Sequence, residues 1–289
     1  MGTIINIDGE LLGPHQARVS VFDRGFLYGD SVYEVVRTLR GVPFALDRHL
    51  DRLELSAAKL AIALPLRDWL EDQIARTLAA AANAESYLRI IVTRGSGPIG
   101  LDPQLAGAPL TAILVQPFEP FPDWTYERGI RVTIPQVRRQ ERAEGDSAAK
   151  TGNYLNSVLA IGEARRRGYY DALLLDTRGR VSEATSANLF AVRAGTLCTP
   201  SAQTGLLQGV TRALIGEIAA EQGIALEECD LLPADLFAAD ELMLTSTLRG
   251  VMPVVEVDDR PIADGRPGPL TRRLQQLLQQ RAEQLVAGG

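Results

Sequence analysis

Residues 146–156 read D-S-A-A-K-T-G-N-Y-L-N and contain the side chain on which the interpretation of the whole chain depends. Of the 30 lysine and arginine residues only two are lysines, Lys59 and Lys150. An arginine guanidinium stays protonated, whereas a desolvated lysine amine attacks a carbonyl carbon and forms an imine. Lys150, among small neutral neighbours, is therefore the first candidate for covalent chemistry. Lys59 lies on a predicted amphipathic helix and is interpreted as a solvated side chain.

Composition excludes several classes of function. The chain has 289 residues, a hydrophobic content of 46% and a net charge of -6, which indicate a packed core and no nucleic-acid footprint. Two cysteines and two histidines supply neither a disulfide framework nor a metal-ligand cluster. The N-terminus lacks a signal-peptide pattern, and no apolar run is long enough to span a bilayer. We expect a cytoplasmic protein with no metal, no nucleic-acid partner and no membrane partner.

Hydrophobic periodicity and turn residues predict two domains of mixed α/β content. The first part of the chain alternates short apolar runs with turns at Asp8-Gly9 and Gly41, as antiparallel strands do. Prolines at 117, 120 and 122 interrupt regular structure, so we interpret residues 116–128 as an interdomain linker. The sequence therefore predicts a small α+β domain over residues 1–115 and a larger domain over residues 129–289.

The same pattern locates the main elements. Leucines at helical spacing predict a helix with Asp47 as its N-cap that continues to Ile62. Further helices are expected at residues 68–82, 153–167, 211–222 and 270–285. Strands are expected at residues 87–93, 110–115, 241–245 and 253–257.

Two short motifs match known sites, but their context does not support them. Residues 95–100, G-S-G-P-I-G, fit G-x-G-x-x-G, yet the prolines that follow leave no helix to receive a pyrophosphate. Residues 147–150, S-A-A-K, fit the S-x-x-K of penicillin-recognising serine enzymes. The companion motifs K-T-G and Y-L-N fall within the same few residues and share Lys150, so they cannot converge from separate elements. A serine acyl-transfer enzyme is a distant alternative.

An imine at Lys150 implies an aldehyde cofactor, for which pyridoxal 5'-phosphate is the most economical choice. This cofactor needs an acid beside its pyridine nitrogen, and Glu183 in V-S-E-A-T-S-A-N-L-F is a candidate. Alone, that glutamate is better interpreted as a surface side chain of a turn. Residues 205–212, G-L-L-Q-G-V-T-R, enter a predicted helix whose amides and Thr211 hydroxyl suit a phosphate, or simply cap the helix. Residues 245–247, T-S-T, offer further donors or form an ordinary turn.

Five motifs, in order and spread over most of the chain, resemble the class IV aminotransferases. They are F-D-R-G-F-L-Y-G-D-S-V-Y-E-V-V-R at 22–37, H-L-D-R-L-E-L-S-A at 49–57, K-T-G-N-Y-L-N-S at 150–157, S-E-A-T-S-A-N-L-F at 182–190 and L-L-Q-G-V-T-R at 206–212. Each is weak alone, but five in register are specific. The resemblance implies a two-domain fold-type-IV pyridoxal-phosphate enzyme, with a small α+β N-terminal domain and a larger pseudo-barrel C-terminal domain. It also implies a homodimer or a higher homo-oligomer.

The resemblance assigns a role to each matching position. Lys150 would form the internal aldimine and move a proton between the substrate Cα and the cofactor C4'. Glu183 would pair with the pyridine nitrogen, and Tyr154 would approach the ring hydroxyl. The remaining cofactor-binding residues, which would hold the phosphate, are Arg52, Val210, Thr211 and Thr247.

The substrate is specified less clearly. Tyr87-Leu88-Arg89 resembles the Tyr-x-Arg of branched-chain aminotransferases, and an arginine fork suits a carboxylate. Tyr28 matches a family tyrosine that helps to receive the substrate carboxylate. Typical D-amino-acid aminotransferases use an Arg-x-His in the next loop, where Ile99 and Leu101 stand here.

One segment departs from the branched-chain pattern. In T-S-T-L-R-G-V-M-P-V, alanine and glutamate are usual where Arg249 and Gly250 stand, and the segment is partly lyase-like. Aminodeoxychorismate lyases, however, carry a threonine just after the aromatic residue at the Tyr33 position, where Glu34 stands here. We include Leu248 and Arg249 among the substrate-contact candidates; Arg249 is either a second carboxylate anchor or a surface charge.

The sequence thus predicts a transaminase that moves an amino group, through a Lys150 aldimine, from an amino acid to a 2-oxo acid such as 2-oxoglutarate. An L-branched-chain amino acid is the favoured donor. The alternatives are a D-amino-acid or R-amine aminotransferase of the same fold, an aminodeoxychorismate lyase, and a cofactor-free binding protein that has kept the fold.

Overall fold

A computed structural model describes residues 2–137 and 149–287 of the chain. The described residues divide into two compact units: unit 1 within Met1–Glu119, Ala149–Asn153 and Ala282–Gly289, and unit 2 within Pro120–Ala148 and Tyr154–Arg281. The change after Glu119 falls inside the proline-rich segment 116–128. The linker and the domain bounds drawn from the sequence stay predictions.

Unit 1 is built on an antiparallel sheet. Its strands are β1 (Ile4–Ile7), β2 (Glu10–Leu12), β3 (Ser31–Leu39), β4 (Val42–Pro43), β5 (Ser86–Thr93) and β6 (Leu110–Pro117). Its helices are α1 (Arg24–Tyr28), α2 (Leu46–Leu60) and α3 (Arg67–Ala81), and Pro103–Leu105 form a 3-10 turn. Among the described residues the sheet has six strands in the order β2-β1-β6-β5-β3-β4.

The two faces of this sheet carry different side chains. Leucines and isoleucines of α2 and α3 pack on Val32, Val36, Leu88 and Ile90 to form the core of unit 1. Because side chains alternate along a strand, the residues between these positions point to the other face. That second face carries Tyr33, Tyr87 and Arg89. The alternation along the strands therefore places the core residues on one face of the sheet and the candidate site residues on the other.

Helix α2 begins differently from the prediction. Asp47 is wrong as an N-cap, since α2 starts at Leu46 after Ala45, which has a left-handed backbone and no capping side chain. Asp47 lies instead in the first turn, where the helix dipole stabilises a carboxylate. The other predicted helices and strands are confirmed, with bounds that differ by three residues at most.

Unit 2 contains a larger, mixed sheet. Its strands are β7 (Ile130–Thr133), β8 (Asp171–Leu175), β9 (Val181–Ala184), β10 (Asn188–Arg193), β11 (Thr196–Pro200), β12 (Leu226–Cys229), β13 (Glu241–Ser246), β14 (Gly250–Val257) and β15 (Arg260–Pro261). Its helices are α4 (Trp124–Glu127), α5 (Leu155–Arg166), α6 (Val210–Glu221), α7 (Pro233–Phe237) and α8 (Pro269–Ala287), of which residues up to Arg281 belong to unit 2.

The sheet of unit 2 curls. In the described residues its strands follow the order β12-β11-β10-β13-β14-β7-β8-β9, with β15 beside β14. Strand β9, at one end of this order, nevertheless packs against β10 and β11, which lie near the other end. The sheet therefore curves back on itself. The inward-facing side chains of these strands, among them Leu173, Leu189 and Leu244, form one buried cluster. The α/β class predicted from the sequence is confirmed, and the curl gives unit 2 its barrel-like character.

Two general features bear on function. Over residues 2–137 and 149–287, no helix is long and apolar enough to cross a membrane. The same part of the chain contains no group of three or more His, Cys, Asp or Glu side chains suited to a metal ion.

Candidate active site

Lys150 is held by backbone contacts with the start of β3. Its carbonyl accepts a hydrogen bond from the Tyr33 N–H at 3.0 Å, and its own N–H donates to Ser56 Oγ of α2 at 3.0 Å. The neighbouring Gly152 N–H donates to the Ser31 carbonyl at 3.0 Å, and a Cβ on Gly152 would lie only 2.3 Å from Ser31 Oγ. These contacts fix the base of the Lys150 side chain, and they explain the glycine that follows it.

The ring of Tyr33 connects Lys150 with Arg89. The Lys150 Nζ donates to Tyr33 Oη at 2.9 Å and lies 4.4 Å from the centroid of the same ring. The Arg89 guanidinium lies 4.3 Å from that centroid. An amine and a guanidinium thus meet one aromatic ring, so that a group able to transfer a proton and a group able to bind a carboxylate lie close together.

Arg52 forms a buried ion pair with Glu34. The Arg52 Nε and Nη2 donate to the two Glu34 oxygens at 2.7 Å each, and His49 Nδ1 lies 2.7 Å from Glu34 Oε2. Burial raises the pKa of the Glu34 carboxyl, but the charge and hydrogen bonds of Arg52, with His49, outweigh it and hold that pKa at about 2. Since ionised Glu34 only accepts hydrogen bonds, His49 Nδ1 carries the proton.

His49 stays neutral in this cluster. Burial lowers its pKa, and the positive charges of Arg52 and Lys150 add to that effect against the carboxylate of Glu34. The Arg52 side chain is 14% exposed.

The other predicted residues of unit 1 lie nearby in the fold. Tyr28 ends α1, its ring stacks under Arg24 at 5.1 Å, and its hydroxyl accepts from the Gly100 N–H at 3.1 Å. Tyr87 is two residues before Arg89 on the same face of β5 and is half-buried. Lys59, interpreted as solvated, is exposed in the last turn of α2.

In unit 2 the structure brings Glu183 and Tyr154 together. Glu183 lies in β9, and its Oε2 accepts from the Leu207 N–H at 2.8 Å. Tyr154 directly precedes α5; burial, and then the negative charge of Glu183, raise the pKa of its hydroxyl to about 12. The Tyr154 hydroxyl therefore stays protonated at neutral pH, and the phenol and the carboxylate can meet different atoms of one ring.

The start of α6 is arranged for an anion. Val210 is its first residue, and Gly209 before it provides no capping side chain. The first amides of a helix lack internal partners and carry the positive end of the dipole. Thr211 Oγ1 is buried without a hydrogen-bond partner in the described residues. An anion with several acceptor oxygens, such as a phosphate, would satisfy these donors.

The turn between β13 and β14 holds the last three candidates, Thr247, Leu248 and Arg249, all partly buried. The Arg249 side chain is 11% exposed; its Nη1 donates to buried Asp171 at 2.6 Å and its Nη2 to Ser186 Oγ at 3.1 Å. The Arg249 carbonyl accepts from the Tyr126 hydroxyl at 3.0 Å. Arg249 is thus an ion-paired residue that anchors the turn.

Sequence reasoning omitted several residues of this site. Tyr33 and Glu34 stand inside a quoted motif, and strand alternation was a signal that they face opposite sides of β3. Asn188 also stands inside a quoted motif, whereas Asp171 gave no signal, because its partners Thr185 and Arg249 lie 14 and 78 positions away. Ser147 of the S-x-x-K match lies outside the described residues, and residues 101–109 after the glycine-rich loop contain a 3-10 turn but no α-helix, as predicted.

Comparison with known proteins identifies the family. The family model described as amino-transferase class IV matches residues 31–257. A Methanocaldococcus jannaschii protein provisionally named branched-chain-amino-acid aminotransferase is 40% identical over 273 residues, which are 94% of this chain and 94% of that protein. The D-alanine aminotransferase of Bacillus licheniformis is 31% identical over 279 residues, again 94% of each chain.

Solved structures show the same fold. The branched-chain amino acid aminotransferase of Escherichia coli superposes with a TM-score of 0.90 at 31% identity, over 96% of this chain and 93% of that one. Another branched-chain amino acid aminotransferase, solved with pyridoxamine 5'-phosphate, gives 0.90 at 28% identity, over 99% and 95%. The 4-amino-4-deoxychorismate lyase of Pseudomonas aeruginosa gives 0.84 at 33% identity, over 96% and 98%. The mixed α/β fold with its curled sheet is therefore shared with aminotransferases and with a lyase.

Proposed function

The chain belongs to the class IV aminotransferases and is a transaminase, and from this premise we propose that it transfers the amino group of branched-chain L-amino acids to a 2-oxo acid such as 2-oxoglutarate. The family depends on pyridoxal phosphate. The observation that supports an α-amino acid as substrate is the pair of side chains on the Tyr33 ring, and the branched-chain preference is supported by the relatives. The Lys150 amine and the Arg89 guanidinium lie 4.4 and 4.3 Å from the ring centroid; the guanidinium suits the carboxylate of an α-amino acid, and the amine suits proton transfer at its α-carbon.

The residues of each unit fit the cofactor. In unit 2, the Thr211 hydroxyl, which has no partner within residues 2–137 and 149–287, and the uncapped start of α6 suit its phosphate, with Val210 and Thr247 as further contacts. Glu183 suits its pyridine nitrogen, and Tyr154 its ring hydroxyl. In unit 1, Lys150 supplies the amine, and Arg52 a guanidinium for the phosphate. When bound, pyridoxal phosphate supplies a protonated ring that withdraws electrons from the substrate α-carbon.

The protein side chains then divide the work. The Lys150 amine would move the proton of the substrate α-carbon to C4' of the cofactor, and Tyr33 Oη orients that amine through the bond seen at 2.9 Å. The Arg89 guanidinium binds the α-carboxylate, helped by Tyr28 and Tyr87. The Glu183 carboxylate keeps the ring nitrogen protonated. Leu248 and Arg249, in the anchored turn, border the substrate.

A D-amino acid is the second candidate substrate. The observation that favours it is the Bacillus licheniformis D-alanine aminotransferase, which matches over 94% of both chains. Against it, Ile99 and Leu101 are exposed apolar side chains and offer no charge to a carboxylate. Aminodeoxychorismate lyase, whose fold is also shared, remains the third candidate.

We also infer a homodimer, for which an exposed apolar patch gives support. The patch, called here the loop patch, consists of Val21, Phe22, Phe26, Ile99 and Leu101. Its two segments are tied together: the Gly97 N–H donates to the Phe22 carbonyl at 3.3 Å, and Arg24 donates to the carbonyls of Gly100 and Leu101 at 2.8 and 3.1 Å. An ordered apolar patch of this kind is typical of a contact surface, and a second copy of the chain is the partner we propose.

The half-reaction spectrum tests the function. Purified protein is reconstituted with pyridoxal phosphate, and its near-visible absorbance is followed after separate addition of L-leucine, D-alanine or a primary amine. We expect the band to change with L-leucine alone. A change with D-alanine alone would contradict the L-branched-chain assignment, and a protein that takes up no cofactor would contradict the enzyme proposal itself.

A further inference from the structure

Asn188 lies between the two groups that would hold opposite ends of the cofactor. It is the first residue of β10, is 5% exposed, and follows the turn after Glu183. Its Nδ2 donates to the Leu207 carbonyl at 2.8 Å and lies 3.5 Å from Glu183 Oε2. The Leu207 N–H in turn donates to Glu183 at 2.8 Å. The peptide groups of Leu207 are therefore held on one side by Glu183 and on the other by Asn188.

The amide oxygen of Asn188 faces the start of α6. A Cβ placed on Gly209 would lie 2.0 Å from Asn188 Oδ1, far inside van der Waals contact. Gly209 has φ of -74° and ψ of 138°, a conformation that any residue adopts. The glycine is therefore required for space, and the atom that takes this space belongs to Asn188.

Helix α6 itself is fixed by another residue. The buried Arg212 donates to Thr199 Oγ1 at 3.2 Å, to the Pro200 carbonyl at 3.2 Å and to Gln208 Oε1 at 2.7 Å. Arg212 thus ties the first turn of α6 to β11. The contacts of Asn188 are separate from these, since they hold the connection 207–209 against Glu183.

We propose that Asn188 is a positioning residue that sets the distance between the Glu183 carboxylate and the phosphate-binding start of α6. It acts through Glu183 and Gly209. The inference rests on the proposed use of pyridoxal phosphate. Because the ring nitrogen and the phosphate belong to one small molecule joined by a short arm, a change in this distance beyond the reach of that arm weakens binding at one end or the other.

Two kinds of variant separate positioning from simple packing. Asn188→Asp keeps the shape of the side chain but replaces the amide donor with an acceptor that faces the Leu207 carbonyl. Gly209→Ala introduces the clash with Oδ1, and Asn188→Ala removes the atom that causes it. Gly216→Ala, in the same helix, is the matched control, because its Cβ would meet Leu226 Cδ2 at an ordinary 3.5 Å.

The readouts are the dissociation constant of pyridoxal phosphate from the apoprotein, the pH midpoint of the near-visible band, and the melting temperature of the apoprotein. We expect Asn188→Asp to raise the dissociation constant about tenfold, the size of one lost hydrogen bond to a charged network, and to shift the pH midpoint. Gly209→Ala should bind the cofactor more weakly still, and Asn188→Ala/Gly209→Ala should recover to the level of Asn188→Ala. Gly216→Ala should match the wild type.

Either of two results would overturn the inference. The first is that Asn188→Asp binds the cofactor with wild-type affinity and pH midpoint. The second is that the double variant loses as much cofactor affinity as the two single variants lose together. A Gly209→Ala effect limited to melting temperature would also contradict it, since packing alone explains that pattern. If the wild type binds no pyridoxal phosphate, the proposed function fails and this inference fails with it. If the wild type binds the cofactor and Asn188→Asp binds it equally well, only this inference fails.

Discussion

At the scale of single residues, Tyr33 has a contact that its motif alone did not indicate. Its ring is buried and is contacted by the side chains of both Lys150 and Arg89, while its hydroxyl accepts from Lys150 Nζ at 2.9 Å. A phenylalanine would keep both ring contacts and lose only the hydroxyl. Position 33 therefore allows a test of orientation without disturbing the packing.

We predict that Tyr33→Phe lowers kcat about tenfold, because a misoriented amine transfers its proton less efficiently. The lost hydrogen bond should lower the free energy of unfolding by only ~1 kcal/mol. Steady-state kinetics with L-leucine and urea unfolding measure the two effects. Tyr170→Phe, whose ring packs on Trp124 in unit 2, is the control and should leave kcat unchanged. An unchanged kcat in Tyr33→Phe would show that the hydroxyl does not orient the amine.

At the scale of elements, a buried charge cluster fastens α2 to β3. Glu34 of β3 is ionised inside the core of unit 1, paired with Arg52 and His49 of α2. The pKa of the Glu34 carboxyl is below its ordinary value of 4.5, and the pKa of the His49 imidazole is below its ordinary value of 6.5. The folded protein therefore binds fewer protons in acid than the unfolded chain does. Each group contributes stability that is present above its unfolded pKa and lost as the pH falls.

We predict that the free energy of unfolding decreases as the pH falls below 6.5, first through His49, and decreases further between pH 4.5 and about 2 through Glu34. Urea unfolding at a series of pH values measures the loss. Glu34→Gln should be less stable at neutral pH and should have a flatter profile below pH 4.5. The partly exposed pair of Arg67 and Glu71 is the control, and Glu71→Gln should follow the wild-type profile. An equal slope for the wild type and Glu34→Gln would contradict the assignment.

The same cluster shows what the sequence can and cannot predict. Periodicity located the helices and strands to within three residues, because hydrophobic spacing is a local property. The motifs predicted Arg52 as a site residue, but the chain gave no sign that Glu34, 18 positions earlier, would hold it. The contact between Tyr33 and Lys150 spans 117 positions and depends on which segment lies beside β3. Such partners follow from strand pairing, which spacing along one sequence does not determine.

At the scale of the whole molecule, the exposed apolar side chains are unevenly distributed. The loop patch contains Phe26, Ile99 and Leu101, which are 72%, 76% and 81% exposed. Leu66, at the N-terminus of α3, is 82% exposed but lies outside the patch. Single exposed leucines are common on protein surfaces, whereas a cluster held by backbone hydrogen bonds indicates a contact surface. Substitutions at Leu101 and at Leu66 therefore distinguish a contact surface from a single exposed leucine of the common kind.

We predict that the protein is a dimer in solution and that Leu101→Glu converts it to a monomer. Burying one leucine contributes ~1.5–3 kcal/mol, and a two-fold symmetric interface loses this contribution twice. The dissociation constant should therefore rise by at least ~100-fold. Sedimentation equilibrium at several protein concentrations measures it, with Leu66→Glu as the matched control that should remain dimeric. A monomeric wild type, or a Leu101→Glu variant as dimeric as Leu66→Glu, would exclude the loop patch as the interface.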